Sequence, residues 1–535
     1  MKYSFHNSDF PQSRQQASGR YSTYMKFLFL AFLCSTTIFS GCKKLLDIDS
    51  SHAVAEQNMW NSHEDTRTAL VGVYGLMRAA LANDDAFWMY GEFRAGDFVA
   101  LQRQDLKAVI AGNLNAPYPL LNDLTNWRRF YAVINAANMF LEHVGEVKER
   151  DPRYSDQNMQ VDVAQMRFMR AFTYFYMVRI WGDVPLITTS HDGDFQTKPR
   201  DSQQKVLAFC EQELLTAAND LPYLYAHNDP QQLGTTYYNE DAGRWGGALA
   251  RKLTAYAILA HIAAWQGKYS DVAVYTKFIM DNYSKELHSF VTTDDLTNPN
   301  GFFSNRIDNH MLAFNFLYAH ADASFSGHLE ELTLAEPIVD KSQPDVYVPK
   351  DSILSLFNLP NDERFSLDTL TGLPIDANLP YGRYFDNFGT QMPIFDKIKV
   401  LQDGNSPDKD FRIYGSTIVF TRLEEIALLR AEALTVVGDQ AGAIDLLNQI
   451  RDLRKIPHYN AAKEGDLMDA IFRERHKELM GEGWRWYDQI RYNKLKQNNP
   501  AFMQLISSGG IYWPISNDVI SQNKQITQNP YWKNK

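Results

Sequence analysis

The chain has 535 residues, 45% hydrophobic and 13% aromatic against 22% charged, so it carries enough apolar surface to offset chain entropy, which excludes a disordered protein. That length exceeds what one growing core supports, and two lobes, or one scaffold with a large insertion, are expected. A formal net charge of -11 argues against nucleic-acid backbones and anionic lipid surfaces as partners.

From Met25 the sequence reads M-K-F-L-F-L-A-F-L-C-S-T-T-I-F-S-G-C, one Lys and then a mostly apolar run from Phe27 to Phe39. At about 1.5 Å per residue this run falls well short of a hydrocarbon core of about 30 Å, so it reads as a signal segment and not a membrane span. Ser40 and Gly41 ahead of Cys42 resemble a bacterial lipobox. On that resemblance residues 1–41 are a signal peptide, with Met25 as a second candidate start, and Cys42 becomes the acylated first residue of the mature chain. Of the 3 cysteines, Cys34 leaves with the signal and Cys42 carries lipid. Cys210 is then a lone thiol, no internal disulfide is available, and the core alone must supply stability.

Further along, an irregular stretch, roughly 83–122, interrupts the first helices. In 164–180, Phe168, Ala171, Phe172, Phe175 and Val178 recur at helical spacing. A-I-L-A-H-I-A-A-W-Q-G-K-Y-S-D-V-A (257–273) aligns with A-L-L-R-A-E-A-L-T-V-V-G-D-Q-A-G-A (427–443) about Gly267 and Gly438. Ala260 and Ala431 precede the glycines and Ala273 and Ala443 follow them, the small residues that let two antiparallel helices approach, as in tetratricopeptide hairpins. Between these hairpins, 284–418 holds turn clusters such as D-D-L-T-N-P-N-G (294–301) and a short alternating run, M-L-A-F-N-F-L-Y (311–318), with little helical period. It reads as a loop-rich insertion with short strands, and the turn cluster lacks the spacing and distal Glu of a calcium loop. The expected fold is therefore mainly α, a scaffold of helical hairpins carrying this insertion.

G-E-G-W-R-W-Y-D-Q-I-R (481–491) raises a sharper question, because aromatic rings beside hydrogen-bonding groups also bind sugars. On one helix through 472–490, Phe472, Leu479, Trp486 and Ile490 form a continuous face, which predicts core; Arg485 and Asp488 are then paired or solvated. The stretch reads as frame.

An ordered set of motifs resembles the SusD/RagB family of Bacteroidetes outer-membrane lipoproteins. It comprises M-W-N-S-H-E-D-T-R-T-A-L-V-G-V-Y-G-L-M (59–77), W-R-R-F-Y-A-V-I-N-A-A-N (127–138), M-R-F-M-R-A-F-T-Y-F (166–175) running into W-G-D-V-P-L (181–186), R-L-E-E-I-A-L-L-R-A-E-A-L (422–434), L-L-N-Q-I-R (446–451), E-R-H-K-E-L-M-G-E-G-W-R-W-Y-D-Q-I-R (474–491) and Q-N-P-Y (528–531). The resemblance implies a SusD-like α/α superhelix of four tetratricopeptide-like hairpins, with a helical region over 42–283, the variable insertion over 284–418 and a closing helical region over 419–535. It implies a lipid-anchored outer-membrane protein that caps a SusC-type TonB-dependent β-barrel and captures oligosaccharides, or in some members peptides. Lys43 and Lys44 follow the cysteine, with Asp47 and Asp49 only later, so no acidic surface-export signal directly follows Cys42.

A sugar site needs an exposed flat ring beside amide, carboxylate or guanidinium groups. The first irregular stretch offers Trp88, Tyr90, Arg94, Asp97, Arg103 and Tyr118; the insertion offers Phe302, Phe303, Asn305, Arg306, Tyr318, Tyr381, Arg383 and Tyr384. The family resemblance places a ligand site between these two regions, with Trp88, Tyr118 and Tyr318 expected to be exposed; Asp97 has turn capping as its other role. No cofactor or metal is expected, and H-E-x-x-H, G-x-S-x-G and the P-loop pattern are all missing. Glycoside hydrolysis leaves no local signature, so a hydrolase remains one alternative and a pure assembly scaffold another.

Overall fold

A computed structural model describes residues 59–190, 197–229, 236–304, 307–316, 326–367, 383–402 and 413–533. The signal segment, Cys34 and Cys42 lie outside the described residues.

Among the described residues, ten long helices carry the frame: α1 His63–Ala82, α2 Arg128–Arg150, α3 Asp156–Trp181, α4 Gln203–Asp220, α5 Lys252–Gln266, α6 Tyr269–Asn282, α7 Leu423–Val437, α8 Gln440–Leu453, α9 Leu467–Leu479 and α10 Arg485–Lys496. Their starts are written locally. Ser62 caps α1 in a reciprocal box with Asp65, and Ser155 and Ser202 cap α3 and α4, each meeting an N–H that the first helical turn leaves unpaired. Consecutive helices from α1 to α8 pack side by side, as four hairpins in a row. The α5–α6 and α7–α8 turns pass through Gly267 at φ +77° and Gly438 at φ +95°, a region that costs a side chain energy and glycine nothing. Ala260, Ala263 and Ala264 on α5 pack with Tyr269 and Val272 on α6 and with Leu429 and Ala433 on α7, so the small residues hold the two hairpins against each other. The two hairpins are neighbours in space although far apart in sequence.

Helix α3 departs from the one-sided expectation. The predicted face is buried, but so are Arg170 and Arg179 on other faces, because α3 lies between α2 and α4. Arg170 is neutralised by Glu213 and bonds Asn138 Oδ1 at 2.8 Å. Arg179 sits among the rings of Phe175, Tyr176 and Tyr487, 4.1–4.9 Å from their centroids, where cation–π attraction offsets part of its desolvation.

Two long excursions leave this row, 83–127 between α1 and α2 and 283–422 between α6 and α7. The first is less irregular than its sequence suggests: it contains the helices Ala86–Gly91, Gln104–Ile110 and Pro119–Leu124. The second carries short strands in two-stranded antiparallel ladders, with β2 (Leu312–Phe314) on β8 (Ile418–Thr421), β4 (Phe385–Asp386) on β5 (Ile394–Phe395) and β6 (Leu401–Gln402) on β7 (Ile413–Tyr414). The alternating run yields β2, yet all three of its residues are buried, because both faces are covered. The excursions meet. β1 (Val99–Ala100) of the first pairs with β3 (Val346–Tyr347) of the second, Val99 opposite Tyr347, and Phe98 sets its edge on Phe395 at 5.4 Å. Trp60–Lys535 is accordingly one compact unit.

A buried ion network pins the insertion to the last helices. Arg364 reaches Asp362 at 2.9 Å, Glu474 at 2.6 Å and Glu478 at 3.0 Å. Glu478 also receives Arg422 and Arg454, at 2.9 and 2.6 Å, while Lys397 and Arg422 share Glu482, at 2.5 and 2.8 Å. Burial alone would raise the Glu478 pKa. The surrounding Arg454, Arg422 and Arg364 outweigh it and hold the carboxyl well below its ordinary range. Removing a carboxylate shared by several arginines, such as Glu478, leaves an excess of buried positive charge, at a cost of about 3–5 kcal/mol.

The predicted single helix through 472–490 is broken. Helix α9 stops at Leu479 and α10 starts at Arg485, with Gly481 and Gly483 at φ +79° and +73° between them. The break is a receptor for the first excursion. Glu92 accepts N–H bonds from Gly481 at 2.8 Å and Gly483 at 3.0 Å, and Trp88 Nε1 donates to the Gly481 carbonyl at 2.9 Å. A Cβ on Gly91 would come within 1.9 Å of the Gly483 oxygen, so this contact requires glycine. Trp484, Trp486 and Tyr487 are buried, Arg485 pairs with Asp97, and Asp488 pairs with Arg475 and Arg491. The 481–491 stretch is frame, through a turn and not through a continuous face.

Candidate functional site

The helices Ala86–Gly91 and Gln104–Ile110 set the candidates of the first stretch, and most turn inward. Trp88 and Tyr90 are only 2% and 1% exposed, and the Tyr90 hydroxyl donates to the Leu124 carbonyl at 2.6 Å. Arg94 is buried, donates to the carbonyls of Gly510 and Ile511, and stacks 4.4 Å from the Trp486 ring centroid. The expectation that these three face a ligand is corrected: their flat faces and donors are already used by the frame. Asp97 is neither a ligand group nor a turn cap. It binds Arg485 Nε at 2.7 Å and lies 2.9 Å from His476 Nε2. Burial pushes its pKa up, but those two neighbours hold it well below the usual carboxylate range.

Arg103 is half-buried and held by a bidentate pair with Asp105, at 3.2 and 2.7 Å. Its field also reaches Asp85, a buried carboxyl at the end of α1 whose pKa burial, and next Glu331 of the insertion, push up. Asp84 and Asp85 both take left-handed backbone, at φ 62° and 52°, where the chain turns out of α1 against Gly327. The two excursions thus share a charged seam here.

Tyr118 is presented. It is half-exposed at the N-terminus of the helix Pro119–Leu124 and borders a pocket of about 590 Å³ lined also by Gln104, Lys107, Ala108, Ala111, Asn113 and Asn115. The loop is shaped by Gly112 at φ +70° and by an N–H of Asn113 bonded to the Ala108 carbonyl at 2.8 Å. A phenol ring beside an ammonium and several amides is the combination a polyhydroxylated ligand requires. Gln104, Lys107, Asn113 and Asn115 escaped the sequence reading; the turn-rich string A-G-N-L-N-A-P-Y (111–118) was the signal that could have found them.

In the insertion, Phe302 and Tyr384 are 0% exposed and Phe303 is buried. Phe302 packs on His310 at 4.5 Å, and Tyr384 lies under the Lys397 ammonium at 4.8 Å. They too are corrected to core, because the insertion folds its own aromatic interior. Arg383 pairs with Asp294. Asn305, Arg306, Tyr318 and Tyr381 lie outside the described residues. The cluster 294–301 forms the end of a short helix, Thr293–Thr297, and a turn in which Gly301 abuts the Asp295 carbonyl. Cys210 is buried, and burial pushes its thiol up.

A row of helical hairpins with two joined excursions, one holding an open aromatic-and-amide pocket, defines a helical-repeat binding scaffold. The SusD family model matches residues 398–504, and a second model, described as starch-binding associating with outer membrane, matches 104–235. A solved SusD superfamily protein from Bacteroides thetaiotaomicron is 47% identical over 89% of this chain and 99% of its own, with a TM-score of 0.79. SusD-like protein P38 of Formosa agariphila is 25% identical over 93% of this chain and 97% of its own. A putative sugar binding protein from Bacteroides vulgatus shares the fold, at 18% identity and a TM-score of 0.63, over 88% of this chain and 99% of its own. The chain belongs to the SusD family.

Proposed function

We propose that the protein captures oligosaccharides at the outer membrane and delivers them to a SusC-type TonB-dependent β-barrel, binding them without turnover. The observation that carries this reading is the pocket beside Tyr118, a half-exposed ring next to Lys107 and amides on the helical row. Those lining residues fall in the 104–235 range whose family model is described as starch-binding associating with outer membrane. Hydrolysis, which in most glycosidases uses two carboxyl groups flanking the bond, is the alternative that the product length below tests. Acylation at Cys42 would tether the chain, with 42–283 and 419–535 supplying the frame and 284–418 the variable lobe.

A glycan and peptide array on the chain from residue 43 onward tests this. Binding of an oligosaccharide whose length is unchanged after long incubation, weakened by Tyr118→Ala, is expected. Exclusive peptide binding would move the protein to the peptide-capturing branch, and shortened products would make it a hydrolase.

A further inference from the structure

A second, larger groove lies away from Tyr118. It encloses about 790 Å³ between the insertion helix Lys350–Leu356 on one side and α9, α10 and the helix Pro500–Ser507 on the other. It exists because the chain breaks sharply after α10. Gln497 takes φ 50°, and Asn499 caps the next helix by accepting the Phe502 N–H at 3.1 Å, with Pro500 as its first residue. That last helix therefore stands off the frame with no residue of its own fully buried.

The groove combines flat rings with free hydrogen-bonding groups. The half-exposed rings of Tyr492 and Phe502 border the groove, Tyr492 meeting the buried Phe472 edge to face at 5.2 Å and Phe502 tilting onto the buried Trp486 at 5.6 Å. Around them stand Ser352 and Ser355 from the insertion and Gln489 from α10, whose Nε2 donates to the Ala95 carbonyl at 3.2 Å and leaves its carbonyl oxygen available. Charges at the groove are mostly compensated. Asp469 is held by Lys496 at 2.9 Å and by the Tyr492 hydroxyl at 3.0 Å, and Arg485 by Asp97. Arg473 is exposed and has no ion-pair partner among the described residues, and the exposed Asp351 on the opposite wall balances it in sign.

We propose that this groove is a second saccharide-binding site, for a neutral oligosaccharide. Ring faces suit the C–H face of a sugar, and the hydroxyl and amide side chains suit its edge. The volume falls within the range of about 300–1,000 Å³ typical of small-ligand sites. An extended peptide gains less here, because the described walls are helices whose backbone groups are bonded internally and offer no strand edge to extend. The inference takes its ligand class from the oligosaccharide reading above but shares no residue with the Tyr118 pocket, so the two fail separately.

Saturation-transfer NMR on the full-length protein with maltoheptaose, cellohexaose, xylohexaose and mannohexaose tests it. For at least one of these sugars the signal should survive Tyr118→Ala, fall at least about fivefold when Ser355→Trp fills the groove, and fall about twofold in Arg473→Ala. Should Ser355→Trp lower the melting temperature markedly, Arg473→Ala, altered only at an exposed side chain, decides the matter alone. Loss of all signal in Tyr118→Ala would leave the first site standing and overturn the second. So would a signal indifferent to both groove variants, or a tryptic casein digest that binds in place of every sugar and is displaced by Ser355→Trp. Silence from all four sugars with the unaltered protein overturns the groove as well.

Discussion

The stretches 481–491 and 111–118 both set aromatic and polar side chains beside glycine, and end in different surroundings. In the first, Arg485 meets the half-buried Asp97, Asp488 meets Arg475 and Arg491, the glycine N–H groups meet Glu92, and the rings of Trp484, Trp486 and Tyr487 are buried. In the second, Tyr118 and its neighbours reach solvent around an open pocket. What separates the two stretches is burial: distant segments cover the rings of the first and leave Tyr118 of the second half-exposed.

The most forceful way to break this comparison is to unpair the frame. Glu478→Ala leaves Arg364, Arg422 and Arg454 facing one another in the interior, and urea denaturation should register a loss of about 4–5 kcal/mol. A loss below about 1 kcal/mol would mean the network is replaceable. Next, Trp88→Ala should cost about 3 kcal/mol by emptying a buried site and orphaning the Gly481 carbonyl, as read by thermal unfolding; a stability-neutral Trp88→Ala with impaired binding would return Trp88 to the site.

Acid should act on the frame in a defined direction. Burial pushes the Glu474 pKa up, but Lys477, Arg364 and Arg451 outweigh it and bring it from 4.5 to about 2. The folded state therefore binds the proton less tightly than the unfolded chain. The stabilisation is complete above pH 4.5 and is lost as pH falls toward 2, on the order of 3 kcal/mol from this group. The melting temperature should drop steeply between about pH 4.5 and 2.5, and less so in Glu474→Gln; identical profiles would refute the assignment. The smallest effect sharpens the other side of the comparison. Tyr118→Ala should weaken oligosaccharide binding about tenfold, near 1.4 kcal/mol, measured by calorimetry, while changing stability by less than about 1 kcal/mol.

Local pattern made much of the frame legible. Apolar residues at helical spacing found α3, and the aligned hairpins found the α5–α6 and α7–α8 turns, because both signals depend only on neighbours along the chain. The sequence marked candidate regions but not which of their rings stay open. Trp88, Tyr90 and Tyr384 are chemically as good as Tyr118, and composition cannot tell which ring a distant segment will cover. Gly481 covers Trp88 from nearly 400 positions away, and no local rule spans that separation.

By itself, then, the sequence determined a helical-hairpin protein with a glycine-turned repeat and a separate, turn-rich insertion, since period and turn chemistry are short-range properties. Tertiary structure alone decided that the insertion docks on buried ion pairs, that α9 and α10 part at a glycine turn which receives the first excursion, and that Tyr118 stays open while Trp88 does not. Burial and charge pairing are set by segments far apart in the chain, and each residue's role depends on which of them arrives beside it.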